Sequence, residues 1–235
     1  MKSISAKAAA AAGFLLVWVL IVFAAAAAAR GIAGNGKLLA AKMLHYAPPE
    51  ASLLPAEEYA GVGEMTAGYL TGREEAFQYS WTDANGNTLL AFRPHEAEHM
   101  ADCRGLIRLA ETLAWWLGGA GLALIAAGIL LRKYRRHTGN GMLCGLGTAA
   151  GTCVALLVWG LVNFNGLFIT FHLLAFTNDG WLLDPRTDLL IRLMPETFFI
   201  DLGTRVLVWM LAAAAAAGIA AFLLRRKKPG GEHSK

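Results

Sequence analysis

Four long apolar runs constrain the fold of this 235-residue chain more than any other feature. They cover about Ala8–Ala29, Leu106–Leu131, Leu143–Phe171 and Val206–Leu224. Each is long enough to cross a bilayer as a helix, which takes about 20 residues. The first run exceeds the apolar core of a secretory signal, about 7–15 residues, so we interpret it as an uncleaved anchor. The sequence therefore predicts a mainly α integral membrane protein, with one membrane domain over 1–235 and four transmembrane helices.

Basic residues orient these helices. They lie before the first run, between the second and third, and after the fourth: Lys2, Lys7, Arg132, Lys133, Arg135, Arg136, Arg225, Arg226, Lys227 and Lys228. The positive-inside rule makes both termini cytoplasmic. The remaining segments, Gly31–Arg104 and His172–Thr204, are then extracellular, and they carry 15 of the 17 acidic residues. The net charge of +4 thus reflects membrane topology, and no nucleic-acid partner is expected.

The first extracellular segment has the pattern of a small α+β cap. Pro55–Leu70 has apolar residues at helical spacing, which predicts a helix lying on the membrane surface. Ala76–Thr82 and Thr88–Phe92 flank an Asp-Ala-Asn-Gly-Asn sequence, which predicts a β-hairpin. Pro94 then begins a helix that either continues into the second span or breaks before it.

The second extracellular segment is too apolar for a solvated loop, although Asn178–Gly180 and Asp184–Pro185 are turn signals. Trp181, Phe198 and Phe199 suit the aromatic belt at a membrane interface. We therefore expect short helices lying at the outer leaflet.

Two histidines, His99 and His172, each lie where an apolar run meets an acidic extracellular segment. An imidazole has a reference pKa near ~6.5 and can both take and give a proton at neutral pH. Two imidazoles at one membrane edge predict proton-transfer chemistry on a lipid-like substrate.

Three other interpretations of these histidines remain open. His95, Glu96 and His99 form an HExxH sequence, which on a helix is typical of a zinc metallohydrolase. His99 and His172 are also suitable axial ligands for a haem. Cys103 follows His99 by one helical turn, the spacing of a thiolate nucleophile and its base.

A polar stripe follows these residues into the membrane. Arg104, Arg108 and Glu111 lie on one helical face, where they form either an internal ion pair or a site. Arg104 is a candidate to bind a lipid phosphate or an oxyanion, and Arg205 opens the fourth span at the same level.

Two segments of the chain resemble one known family. The first reads FRPHEAEHMAD from Phe92 to Asp102. The second comprises Phe171–His172, Phe176, Asp179, Trp181, Asp184–Pro185, Thr187–Asp188, Leu190–Ile191, Pro195–Glu196 and Phe198–Phe199. Both are similar to segments of the lipoprotein intramolecular transacylases, four-helix membrane proteins of Gram-positive bacteria.

The resemblance implies a reaction and a site. The substrate would be a lipoprotein whose N-terminal cysteine carries a diacylglyceryl thioether, and the sn-2 acyl chain would move to the cysteine's α-amine. His99 and His172 would be the catalytic pair, with Glu96 or Asp102 orienting an imidazole, and Trp181 would help to hold the headgroup. No metal or cofactor is expected, the partners are diacylated lipoproteins and membrane lipids, and the oligomeric state stays open.

Overall fold

The computed structural model describes residues 2–130 and 132–226, which are almost entirely helical. The helices are α1 (Lys2–Ala33), α2 (Gly36–Tyr46), α3 (Pro49–Ser52), α4 (Tyr59–Thr71), α5 (Pro94–Leu130), α6 (Arg135–Val162), α7 (Phe164–Ala175), α8 (Leu189–Leu193) and α9 (Glu196–Arg225). The strands are β1 (Ser80–Thr82) and β2 (Thr88–Leu90), and single 3₁₀ turns cover Ala56–Glu58 and Arg132–Tyr134.

Helices α1, α5, α6 and α9 are each long and apolar enough to cross a membrane. They have 32, 37, 28 and 30 residues, and all four begin before the predicted spans. Large apolar side chains lie exposed along them, with Trp115 and Trp116 more than three-quarters exposed. Lipid is the environment that suits such surfaces. The prediction of a mainly helical protein with four helices long and apolar enough to span a membrane is confirmed, whereas their orientation stays a prediction. Leu131, Lys227 and Lys228 lie outside the described residues.

The third apolar run is not the single helix that the sequence predicted. Helix α6 ends at Val162, and α7 begins at Phe164. Asn163 separates them with φ −153° and ψ 77°, and its side-chain oxygen accepts a hydrogen bond from the Gly166 amide at 2.8 Å. An asparagine that caps a new helix in this way competes with continuing the old one. Helix α7 is therefore a separate short element, and it carries His172.

The described chain divides into two compact units, and the first comprises Ala25–Ala114 and Val158–Val208. Its core contains Met43, Leu54, Tyr59, Leu193 and Phe198, each at most 2% exposed. These residues come from both segments that the sequence places outside the membrane. The prediction that Phe198 belongs to an interfacial belt is wrong, because the same apolar ring is used to build this core.

Helix α4 also differs from its prediction. Its apolar face is buried against α2, where Gly63 lies so close to Ala40 that a Cβ on Gly63 would overlap it. Val62, Thr66 and Ala67 have no exposed surface. The sequence periodicity predicted the apolar face of α4. It did not predict that helix α2, and not the membrane, covers this face.

The predicted hairpin is present and shorter than expected. Strands β1 and β2 pair antiparallel, with Trp81 opposite Leu89. The Asp83 carboxylate accepts hydrogen bonds from the Asn85 and Asn87 amides, and Gly86 has φ 83°, a value that favours glycine. Helix α5 then begins at Pro94 and runs without a break through His99.

The second unit contains the chain up to Ala24, Trp115–Leu157 and the chain from Trp209 onward. Its core is built from Val17, Ile21, Met142 and alanines of α9. Helices α1 and α6 approach closely, because a Cβ on Gly141 would overlap the backbone of Ala10. Small residues allow such close backbone contact between membrane helices.

Candidate active site

The structure places His99 and His172 against each other within the first unit. His99 lies in the second turn of α5, and His172 lies in the last turn of α7. Their ring centroids are 6.1 Å apart, and their planes differ by 30°. Both residues are buried, at 8% and 7% exposure. The pair that the sequence identified by position alone is therefore two neighbouring imidazoles in a largely water-free setting.

His172 has one ring nitrogen engaged and one available. Its Nδ1 lies 2.8 Å from the backbone carbonyl oxygen of Phe168, so Nδ1 carries the hydrogen and donates it. Nε2 is then the nitrogen that can accept a proton. Burial lowers the pKa of His172 below its usual value, and the bond to Phe168 opposes this only in part. Burial therefore favours the neutral form of His172.

His99 is held more loosely. Its Nδ1 is buried and has no hydrogen-bond partner among the residues that the structure describes. Its Nε2 lies 3.6 Å from the sulfur of Cys103, a contact with a weak donor. A buried polar atom without a partner is costly, and a substrate group that bonds to Nδ1 of His99 would remove that cost.

Aromatic rings surround the imidazole pair. The ring centroid of Phe176 lies 5.2 Å from that of His99 and 5.4 Å from that of His172. On other sides of His172 lie the rings of Trp181, at 5.0 Å, and Phe168, at 4.2 Å. Phe176 is thus nearly equidistant from both imidazoles. The surroundings of the pair are aromatic and apolar, which suits an apolar substrate.

Asp102 connects the two histidine segments without touching an imidazole. Its carboxylate accepts a hydrogen bond of 2.9 Å from the Asn178 side-chain amide. Asn178 in turn accepts a bond from the Gly180 amide, which shapes the turn before Trp181. The structure thus places Asp102 where it holds the Trp181 segment against α5.

Glu96 also bonds to backbone rather than to an imidazole. It is fully buried, and its two oxygens accept hydrogen bonds of 2.7 Å from the amides of Arg93 and Leu190. The first bond caps the start of α5, and the second caps the start of α8. A carboxylate with both oxygens engaged in this way serves a structural purpose.

The HExxH sequence has its first two members engaged elsewhere. His95 Nε2 lies 3.0 Å from the carboxylate of Asp188. Burial alone would raise the pKa of Asp188, but hydrogen bonds from His95, the Asp184 amide and Thr187 lower it. Within residues 2–130 and 132–226, no three histidine, cysteine or acidic side chains are grouped as metal ligands.

The predicted polar stripe is divided among other partners. An internal ion pair, one of the two alternatives for this stripe, is present for Glu111, and its partner is Arg30 of α1 at 3.2 Å. Arg205 pairs with Asp201, which also binds Lys42.

Arg104 is placed differently from the other arginines. Its guanidinium lies over the ring of Tyr69 at 4.8 Å. Its Nε is buried and unpartnered among the described side chains. Arg104 is therefore suited to bind an incoming anion.

Sequence reasoning missed Phe176, Asn178 and Asp188 as parts of this site. Asn178 begins an Asn-Asp-Gly sequence, which predicted a turn. That sequence did not predict that the Asn178 side chain would bind Asp102. The partners Arg30 and Lys42 carried no local signal, because their counter-ions lie far along the chain.

Comparison with known proteins decides the family. A protein-family model described as lipoprotein intramolecular transacylase Lit matches residues 13–199. The chain belongs to the Lit family. Lit proteins are acyltransferases, so this chain is a membrane-integral acyltransferase of that family, and the family name points to lipoproteins as its substrates.

Solved structures of Lit from Bacillus cereus share this fold. One is 20% identical, covers 90% of this chain and 94% of its own, and has a TM-score of 0.66. A variant with a histidine replaced by arginine is 19% identical, covers 90% of each chain and has a TM-score of 0.62. At these identities the likeness establishes the fold alone. No curated protein sequence matches the chain.

Proposed function

We propose that this Lit protein moves the sn-2 acyl chain of an S-diacylglyceryl cysteine to the α-amine of that cysteine, with His99 and His172 as its acid–base pair. The observation that carries the proposal is the buried pair itself, 6.1 Å apart, with Nε2 of His172 free to accept a proton. The product is an N-acyl, S-monoacylglyceryl lipoprotein, the lyso form.

The chemistry needs proton transfer and no enzyme nucleophile. The amine nitrogen forms a bond to the ester carbonyl carbon, and the bond from that carbon to the glycerol oxygen breaks. One proton leaves the nitrogen, and one reaches the glycerol oxygen, so the neutral amine and ester become an amide and an alcohol. No water, metal or cofactor enters this balance. Because nucleophile and ester belong to one molecule, orientation supplies much of the rate, with effective molarities of about 10⁵–10⁸ M for well-oriented groups.

We assign proton acceptance from the amine to His172, since its Nδ1 is engaged with Phe168 and leaves Nε2 as the base. The proton then passes from His172 to His99, which delivers it to the departing glycerol oxygen, so that both imidazoles end the reaction neutral. Cys103 lies beside His99 as a neighbour rather than as an acyl carrier.

The other candidate residues act around this pair. Trp181 and Phe176 would hold the glyceryl headgroup against the imidazoles. Arg104, with its unpartnered Nε, is our candidate to stabilise the oxyanion. Arg108 is a second cation on the same stripe. Asp102 and Glu96 are positioning residues that act through Asn178 and the α8 backbone, and Arg205 supports the fold through Asp201.

We place this chemistry at the extracellular leaflet of the cell membrane. Charge asymmetry supports that placement, because the first unit carries most of the acidic residues, whereas the basic clusters of α6 and α9 lie in the second.

The decisive experiment is co-expression with a diacylated model lipoprotein, followed by mass spectrometry of its N-terminal peptide. Wild-type protein should give a peptide of unchanged mass whose fragments carry an acyl group on the amine. His99→Ala and His172→Ala should each reduce this product at least about 100-fold, the lower range for general acid–base catalysis.

His45→Ala is the matched control, because His45 is exposed and outside the site. It should leave the product at the wild-type level, with all variants inserted equally in the membrane. Wild-type yields from either site variant would contradict the histidine-pair mechanism, and a peptide that loses acyl mass would indicate hydrolysis instead.

A further inference from the structure

We propose that the second unit contains a binding site for one anionic phospholipid, in a crevice formed by α1, α5, α6 and α9. The crevice is separate from the histidine pair, which belongs wholly to the first unit. The proposal therefore does not depend on the acyl-transfer mechanism.

The crevice has the size and surface that an acyl chain needs. Its volume is about 780 Å³, within the range of about 300–1,000 Å³ that is typical of ligand sites. Most of its lining is apolar and comes from all four helices, including Leu16, Leu124, Met142 and Leu224. A chain bound there would cover apolar surface that the helices leave uncovered.

The polar side chains that line the crevice lie close together, near the start of α6. Arg135, at the start of α6, and Thr138, one turn later, are its polar side chains. A terminal nitrogen of Arg135 donates a hydrogen bond of 2.9 Å to the backbone carbonyl of Arg226, which ties the guanidinium to the end of α9. A guanidinium has five N–H donors, so several remain for a phosphate.

Uncompensated positive charge makes an anionic headgroup the matching ligand. Residues 2–24, 115–157 and 209–226 contain no aspartate or glutamate. The same ranges contain Lys2, Lys7, Arg132, Lys133, Arg135, Arg136, Arg225 and Arg226. A zwitterionic lipid could fill the apolar part of the crevice, but its ammonium group would meet this positive field. The site should therefore prefer phosphatidylglycerol to phosphatidylcholine.

The test is lipid titration of the delipidated full-length protein in detergent, read by native mass spectrometry. Phosphatidylglycerol and phosphatidylcholine with the same acyl chains are the two probes. We expect the wild-type protein to bind one phosphatidylglycerol more tightly than phosphatidylcholine. Arg135→Gln should weaken phosphatidylglycerol binding roughly fivefold, the effect of one cation near a membrane surface, and leave phosphatidylcholine binding unchanged.

Arg136→Gln is the matched control, because Arg136 is the adjacent cation, is exposed and does not line the crevice. Arg136→Gln should weaken phosphatidylglycerol binding less than Arg135→Gln does, because Arg136 contributes to the positive field but does not line the crevice. A second variant, Ile125→Trp, fills the crevice without changing charge and should reduce the binding of both lipids.

Three results would overturn the proposal. The first is equal affinity of the wild-type protein for the two lipids. The second is an equal loss in Arg135→Gln and Arg136→Gln, which would indicate a diffuse charge effect. The third is full phosphatidylglycerol binding by Ile125→Trp, which would place the lipid elsewhere.

Discussion

His172 owes its proposed role to two local facts, its burial and the carbonyl oxygen four residues before it. The carbonyl of Phe168 holds the hydrogen on Nδ1, and burial disfavours the charged ring. Each fact alone would be ordinary for a helical histidine. Together they leave a neutral imidazole with its lone pair on Nε2, which is what proton abstraction requires.

The lowered pKa of His172 can be measured directly. Titration of the ¹⁵N-histidine resonances in detergent, with His172→Ala to assign the signal, should give a midpoint below the reference value of about 6.5. Because the folded state binds this proton more weakly than the unfolded chain, the conformational stability that His172 contributes is present above pH ~6.5. It should decrease as the pH falls through 6.5 toward the folded midpoint. A midpoint at or above 6.5 would remove the basis for His172 as the base.

The beginning of α5 organises the site more than any other element. Its first turn binds the 184–190 segment twice, through His95 on Asp188 and through Glu96 on the Leu190 amide. Its second and third turns carry His99 and Asp102. Asp102 binds Asn178, which lies three residues before Trp181, and the Trp181 ring packs against His172. The helix that carries one imidazole therefore also holds the segment that packs on the other. His95 and Glu96, the first two residues of the HExxH sequence, thus position the 184–190 segment.

Glu96 and Glu98 offer a matched pair to test this role. Glu96→Ala leaves the buried Leu190 amide without an acceptor, which costs about 1–3 kcal/mol, and removes the cap from the part-buried Arg93 amide. Its thermal unfolding midpoint should therefore fall clearly below that of wild type. Glu98 is exposed on the same turn, and Glu98→Ala should stay within about 0.5 kcal/mol of wild type. Equal midpoints for the two variants would show that the buried bonds contribute little.

At the scale of the whole molecule, the histidine pair and the main clusters of lysine and arginine belong to different units. The first unit contains the histidine pair and its aromatic surroundings, whereas the second lacks carboxylates in its described residues. By the positive-inside rule, the basic clusters of the second unit predict that α6 begins and α9 ends on the cytoplasmic side.

Topology mapping tests that orientation. A fluorescent protein fused to the C-terminus of the full chain should fluoresce, and alkaline phosphatase fused there should be inactive, because the C-terminus is predicted to be cytoplasmic. An epitope inserted in the exposed turn between β1 and β2 should be labelled by antibody on spheroplasts whose membrane is intact. Active phosphatase at the C-terminus would reverse the assignment.

Local sequence was sufficient for the membrane class, the four long helices and the hairpin. It also singled out His99 and His172, whose catalytic role stays a proposal. Apolar length, turn residues and a proline at a helix start act over a few neighbouring residues, so they can be read along the chain. Even the family resemblance rests on two short segments. The helical break at Asn163 was also local, yet the surrounding apolar run obscured it.

Partner choice could not be predicted, because it depends on which distant residues the fold brings together. The Glu96 carboxylate accepts a hydrogen bond from the Leu190 amide, 94 residues away in the sequence. Glu111 pairs with Arg30, 81 residues away, and not with Arg108 on its own helix. Packing likewise assigned α4 and Phe198 to the protein core, although their apolar pattern suits a membrane surface equally well. Sequence determined which groups could do chemistry at the membrane edge. The three-dimensional packing determined which of them meet, since burial and hydrogen-bond geometry exist only between elements.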